Sequence, residues 1–79
     1  MTHIEVYIVY SWDYDGNVKI FYISTDYYCA ISWAEDLYER TQYHVWVEFQ
    51  EINLTDFDLG DYSYYDPNEE NICWEKKTE

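Results

Sequence analysis

The 79-residue sequence predicts an α+β domain of β-β-α-β order, with a three- or four-stranded antiparallel sheet packed on one helix. Three observations predict it. Apolar residues alternate with period two at the N-terminus and again past residue 43, a stripe at helical spacing lies between those runs, and turn chemistry marks the junctions. The chain has one core, over residues 3–54, and an acidic, aromatic-rich C-terminal segment, 55–79; no linker or internal repeat divides it, so 1–79 is a single domain.

The first strand runs from His3 to Trp12, where Ile4, Val6, Ile8, Tyr10 and Trp12 share one face and Glu5, Tyr7, Val9 and Ser11 the other. Asp13-Tyr14-Asp15-Gly16-Asn17 follows. Gly16 tolerates positive φ and the aspartates bond local backbone, so the β-rich run Val18 to Ser24 returns as a hairpin. Ser24-Thr25-Asp26 then offers side-chain oxygens to the orphan N–H groups of a helix start, with Asp26 well placed against the dipole.

A helix from about Asp26 to Thr41 carries Tyr27, Ala30, Ile31, Ala34, Leu37 and Tyr38 as its apolar stripe, while Glu35, Asp36, Glu39 and Arg40 fall outside it. A third β-rich run spans Tyr43 to Leu54. Tyr43, Val45, Val47 and Phe49 face one way and His44, Trp46, Glu48 and Gln50 the other. After Gln50 the alternation falters, because Glu51 takes a core phase and Ile52 and Leu54 change face, so a bulge or strand end is expected there. The remainder reads as polar and irregular, with turns at Gly60 and Asp66-Pro67-Asn68 and one short run, Ile72-Cys73-Trp74, suited to an edge strand.

Charge narrows the function. Seventeen acids against four lysines and arginines give a formal charge of -13, which opposes direct binding to nucleic acid or to anionic lipid. No apolar run reaches signal-peptide or membrane-span length, so a soluble, cytoplasmic protein with reduced Cys29 and Cys73 is expected, and the Asn53-Leu54-Thr55 sequon is read as chance. His3, His44, Cys29 and Cys73 lack metal-ligand spacing. Asp56 to Asp61 has acids at alternate positions as a calcium loop does, but Gly60 stands at position 5, and position 12 is Pro67 where a bidentate glutamate belongs. With two glycines, no phosphate loop and no nucleophile motif, neither an enzyme nor a cofactor is expected.

Between Thr41 and Trp74 stand Glu48, Glu51, Asp56, Asp58, Asp61, Asp66, Glu69 and Glu70, without one lysine or arginine. Acids two apart on an extended chain, as Asp56/Asp58 and Asp13/Asp15 would be, lie about 6.5–7 Å apart, near the spacing of phosphates along a DNA strand. Trp46, Tyr62, Tyr64 and Tyr65, on loops or outside the core stripes, supply interface anchors beside those acids.

In whole-chain layout the sequence resembles the small acidic phage and mobile-element inhibitors of host defence, including anti-CRISPR proteins and other DNA mimics. The elements that carry the resemblance are the strand pair ending Phe21-Tyr22-Ile23-Ser24-Thr25, the amphipathic helix around Ala30 to Leu37, the strand His44 to Phe49 and the acidic tail. The resemblance implies a non-enzymatic inhibitor in the host cytoplasm that binds a basic nucleic-acid-processing complex and blocks DNA access. The alternative is a small protein-interaction module or homo-oligomer, such as a homodimer, that uses its exposed aromatics, with acidity for solubility.

Overall fold

The computed structural model describes residues 3–53, 59–65 and 71–77. Its elements are β1 (His3–Trp12), β2 (Val18–Ser24), α1 (Tyr27–Thr41), β3 (Val45–Asn53), β4 (Tyr62–Tyr65) and β5 (Cys73–Lys76). The strands form one five-stranded antiparallel sheet in the order β3-β1-β2-β5-β4. The α+β class stands as expected, with five strands in place of three or four. The unforeseen strand comes from the segment expected to be irregular. Tyr62–Tyr65 forms the edge, and Cys73–Lys76, expected at an edge, sits inside between β2 and β4.

The hairpin turn is built by Asp13, whose Oδ1 accepts the Asp15 and Asn17 N–H groups at 2.9 Å each, while Gly16 takes φ 82°. Asp26 caps α1 by accepting the Tyr28 N–H at 3.1 Å, and Ser24 Oγ accepts the Asp26 N–H at 2.9 Å. At the far end Gln42 adopts a left-handed φ of 61° and donates its N–H to the Tyr38 carbonyl at 2.7 Å. Because β2 and β3 both run antiparallel to β1, they are parallel to each other, and a parallel pair needs a crossover connection. Helix α1 is that crossover, lying over β1.

Ala30, Ala34 and Leu37 press onto Val9, Tyr22 and Cys73, with Trp33 stacked on Tyr22 at 5.1 Å. The small alanines let the helix approach the sheet closely. A second cluster fills the opposite face, where Val6, Ile8, Ile23 and Ile52 are buried beneath Ile4, Tyr10, Ile20, Leu59, Tyr62 and Trp74. The sheet therefore buries apolar side chains on both faces, and β1, an inner strand, contributes Val9 to one and Val6 and Ile8 to the other.

That second core corrects the expected break after Gln50. β3 runs to Asn53 in unbroken register with β1, and Ile52 changes phase because it faces the second core opposite Ile4. The irregularity lies instead in β2, where Val9 pairs with Tyr22 but Tyr10 with Ile20, leaving Phe21 as the extra residue. This bulge lets Phe21 as well as Tyr22 pack in the helix-side cluster.

The C-terminal strands are tied to the helix start. Thr25 N–H donates to the Ile72 carbonyl at 3.0 Å, Ile72 N–H to Thr25 Oγ1 at 3.1 Å, and Asn71 Nδ2 to Asp26 Oδ2 at 3.0 Å. Among the described residues no buried side-chain nitrogen or oxygen lacks a partner, and no helix is long and apolar enough to cross a membrane.

Candidate protein-interaction surface

The sheet face turned away from α1 carries a band of aromatic side chains from β3 to β4. The Trp46 indole stacks on Tyr10 at 5.6 Å and 16°, the His44 ring lies 5.3 Å from it, and the indole Nε1–H donates to Glu48 Oε2 at 2.9 Å. Further along, Tyr62 donates its hydroxyl to the Ile20 carbonyl at 2.9 Å, and Lys76 Nζ lies 5.6 Å from the Tyr62 ring centre. Ile20 is paired with Tyr10, so the band is continuous.

Electrostatics follow the same line. Burial raises the Tyr10 phenol above its usual range, and the Glu48 carboxylate adds to it. Burial pushes the Tyr62 phenol up to about 12, with contributions from Asp61 and Tyr10. Both phenols therefore stay neutral donors through the physiological range. Tyr64 continues the face, edge-on to Trp74 at 6.4 Å.

The expected site residues do not make one patch. Trp46, Glu48, Asp61 and Tyr62 belong to this band or flank it, and Tyr64 lies along it. Tyr62, Tyr64 and Tyr65 stand on strand β4 and not on loops. Alternation therefore turns Tyr65 to the helix side, where it lines an open groove of about 500 Å³ with Tyr22, Tyr28, Cys29 and Trp33. Glu51, an odd number of residues from Glu48 on a regular strand, is also on the helix side. Asp56, Asp58, Asp66, Glu69 and Glu70 lie outside the described residues. Asp13 and Asp15 are not extended: they occupy the hairpin turn, with Asp13 Oδ1 committed to backbone N–H groups, so they do not carry the phosphate-like spacing.

Two groups escaped sequence reading. One is Tyr10, which shares the face of Ile4, Val6 and Ile8 and packs against the second cluster. The other is a row on the helix side, in which Tyr7 packs against Tyr27 and against Phe49, each at 5.3 Å, and Tyr28 against Tyr27 at 5.5 Å. Beside it Glu5 stands directly opposite Glu51. Phe49 shares the face of Val45 and Val47, which pack in the helix-side cluster, yet it is 57% exposed on the edge strand β3.

Among the described residues no three His, Cys, Asp or Glu side chains are grouped to hold a metal ion. Both cysteines are free thiols. Cys73 is buried beside Ser24 Oγ at 3.2 Å, and Cys29 donates to Asp26 Oδ2 at 3.2 Å. Burial raises the Cys29 thiol to about 11, reinforced by the Asp26 carboxylate, so it is a poor nucleophile at neutral pH. No protein-family model, curated protein or solved structure matches the chain.

Proposed function

We propose that this protein is a non-enzymatic inhibitor that binds a basic, nucleic-acid-processing complex of host defence, as an anti-CRISPR-like DNA mimic does, and keeps DNA from its channel. One observation carries the reading: among the described residues most of the acids have no cationic partner within the fold. The ion pairs among the described residues are Lys19 with Asp13 at 3.9 Å and Arg40 with Asp36 at 2.9 Å. Glu5, Asp15, Glu35, Glu39, Glu51 and Glu75 form no ion pair with a described residue. A chain of charge -13 in which these described carboxylates have no cationic partner carries self-repulsion, and a cationic partner relieves it. The support is this field rather than a ladder of phosphate-spaced acids.

Affinity then comes from lysines and arginines of the target meeting Glu48 and Asp61, while Trp46, Tyr62 and Tyr64 give apolar anchorage. Capture from nuclease-treated lysate on the immobilised protein, with elution by a salt gradient, tests it. A nucleic-acid-binding protein that elutes at moderate salt and is displaced by duplex DNA is the expected result. A partner that resists both salt and DNA refutes mimicry.

The second reading, an aromatic interaction module or homodimer, is favoured by the exposure of Phe49, Tyr28 and Tyr64. It predicts a salt-insensitive complex, or a dimer in sedimentation equilibrium, lost on Trp46→Ala or Tyr64→Ala.

A further inference from the structure

We propose that the outer edge of β3 is a strand-addition site for an extended cationic segment of a partner protein, with basic side chains three residues apart meeting Glu48 and Glu51. It rests on the reading above only in taking the partner to be basic.

The sheet has two edges and they are not alike. β4 is four residues long, and short edges are a common protection against unwanted pairing. β3 is nine residues long, about 30 Å of strand, and on the side away from β1 no described strand pairs with it. Val45–Asn53 contains no proline, no lysine and no bulge, the usual means of blunting an edge. In an antiparallel ladder every second residue turns its N–H and C=O to the neighbour, so the alternate residues of β3 turn theirs outward.

The side chains along this edge specify what could join it. On the helix side Phe49 ends the row Tyr27, Tyr7, Phe49 and is more than half exposed, so a residue added opposite it would extend that row. One step along the same face, Glu51 stands opposite Glu5 and forms no ion pair with a described residue, and like charges directly opposite cost stability in an antiparallel pair. On the other face Glu48 sits beside Trp46. A strand laid against β3 would thus place residues opposite Glu48 and Glu51 on opposite faces and three apart, with apolar partners opposite Val47 and Phe49.

Charge complementarity selects the occupant. A second copy would bring another chain of charge -13 against this edge, whereas a cationic segment would be attracted to it. The acidity thereby protects the edge from self-association while leaving it open to a cationic strand. This is peptide recognition by strand addition, in which backbone bonds give affinity and alternate side chains give specificity.

The test is an NMR titration of the isotopically labelled full chain at low salt with two peptide amides of equal composition and charge. One is Thr-Arg-Thr-Val-Arg-Val-Thr, which sets its arginines against Glu51 and Glu48 in antiparallel register; the other is Arg-Arg-Thr-Thr-Val-Val-Thr. The ordered peptide is expected to bind about tenfold more tightly, a difference of one decade in Kd. It should shift the β3 amides and slow exchange at alternate ones, and the preference should vanish in Glu48→Gln/Glu51→Gln, which keeps side-chain size. Equal binding of both peptides, or shifts away from β3, overturns edge pairing while leaving a basic partner standing. Binding of neither overturns both readings. Self-association through β3 that the ordered peptide does not displace makes a second copy the occupant and also overturns the proposal.

Discussion

The face of the sheet away from α1 is a core in its own right if Ile8 and Ile23 are as fully desolvated as their 2% and 0% exposure implies. Ile23→Val tests this with the least disturbance. It deletes one methylene, keeps β-branching, and suits the strand backbone equally well. Losing the burial of that group costs about 0.8 kcal/mol in transfer free energy, and the small void left behind raises the total to about 1 kcal/mol. For a domain of this size that corresponds to a fall in Tm of about 4–8 °C.

Ile8→Val should cost a similar amount, because Ile8 pairs with Ile23 across β1 and β2 in the same cluster. Val18→Ala is the control, since Val18 is 45% exposed at the turn end of β2. Urea unfolding followed by tryptophan fluorescence reads the midpoints, with unchanged slopes expected because the fold is retained. Costs below about 0.3 kcal/mol for both isoleucine variants, within the range of ordinary surface changes, would refute a second core. The face would then be an open apolar surface, and the burial of Tyr10 and Tyr62 would lose its basis.

Tyr62→Phe removes the donor to the Ile20 carbonyl and should cost about 1 kcal/mol in the same urea assay. The Tyr62 phenol is raised from 10 to about 12, so its contribution is complete below pH 10 and is lost as pH rises towards about 12. The stability gap between wild type and Tyr62→Phe should therefore close over that window. Cys29, raised from 9 to about 11, should react slowly with iodoacetamide near pH 9. Asp26→Asn keeps an N-cap but removes the adjacent charge, so alkylation should become faster while helix content by circular dichroism is unchanged. Glu5→Lys sets a cation opposite Glu51 and should raise thermal stability by a few tenths of a kcal/mol, most visibly at low salt. Wild-type Tm should itself climb with sodium chloride, as the Debye length falls from about 30 Å at 0.01 M to about 3 Å at 1 M.

The sequence alone determined the elements whose signals are local. Period-two alternation bounded β1 and β2, the Asp13 to Asn17 turn joined them, and Asp26 marked the helix start, because backbone geometry and capping act within a few residues. The charge and its lack of lysine and arginine partners between Thr41 and Trp74 were also legible, being composition.

Tertiary structure decided what lies far apart in the chain. Tyr62–Tyr65 is a four-residue segment whose alternation is too short to read, and the strand expected at Ile72-Cys73-Trp74 takes an inner place because β5 pairs with β2 on one side and β4 on the other. The phase change at Ile52 predicts a bulge or strand end when read along the chain; the strand is continuous because the second face is filled as well. The separation of Glu48 from Glu51, and of Tyr62 from Tyr65, follows from strand parity on a sheet whose two faces are both in use. Phe49 is exposed for a reason no window of sequence contains: β3 is last in the sheet, and an edge position is a property of the whole topology.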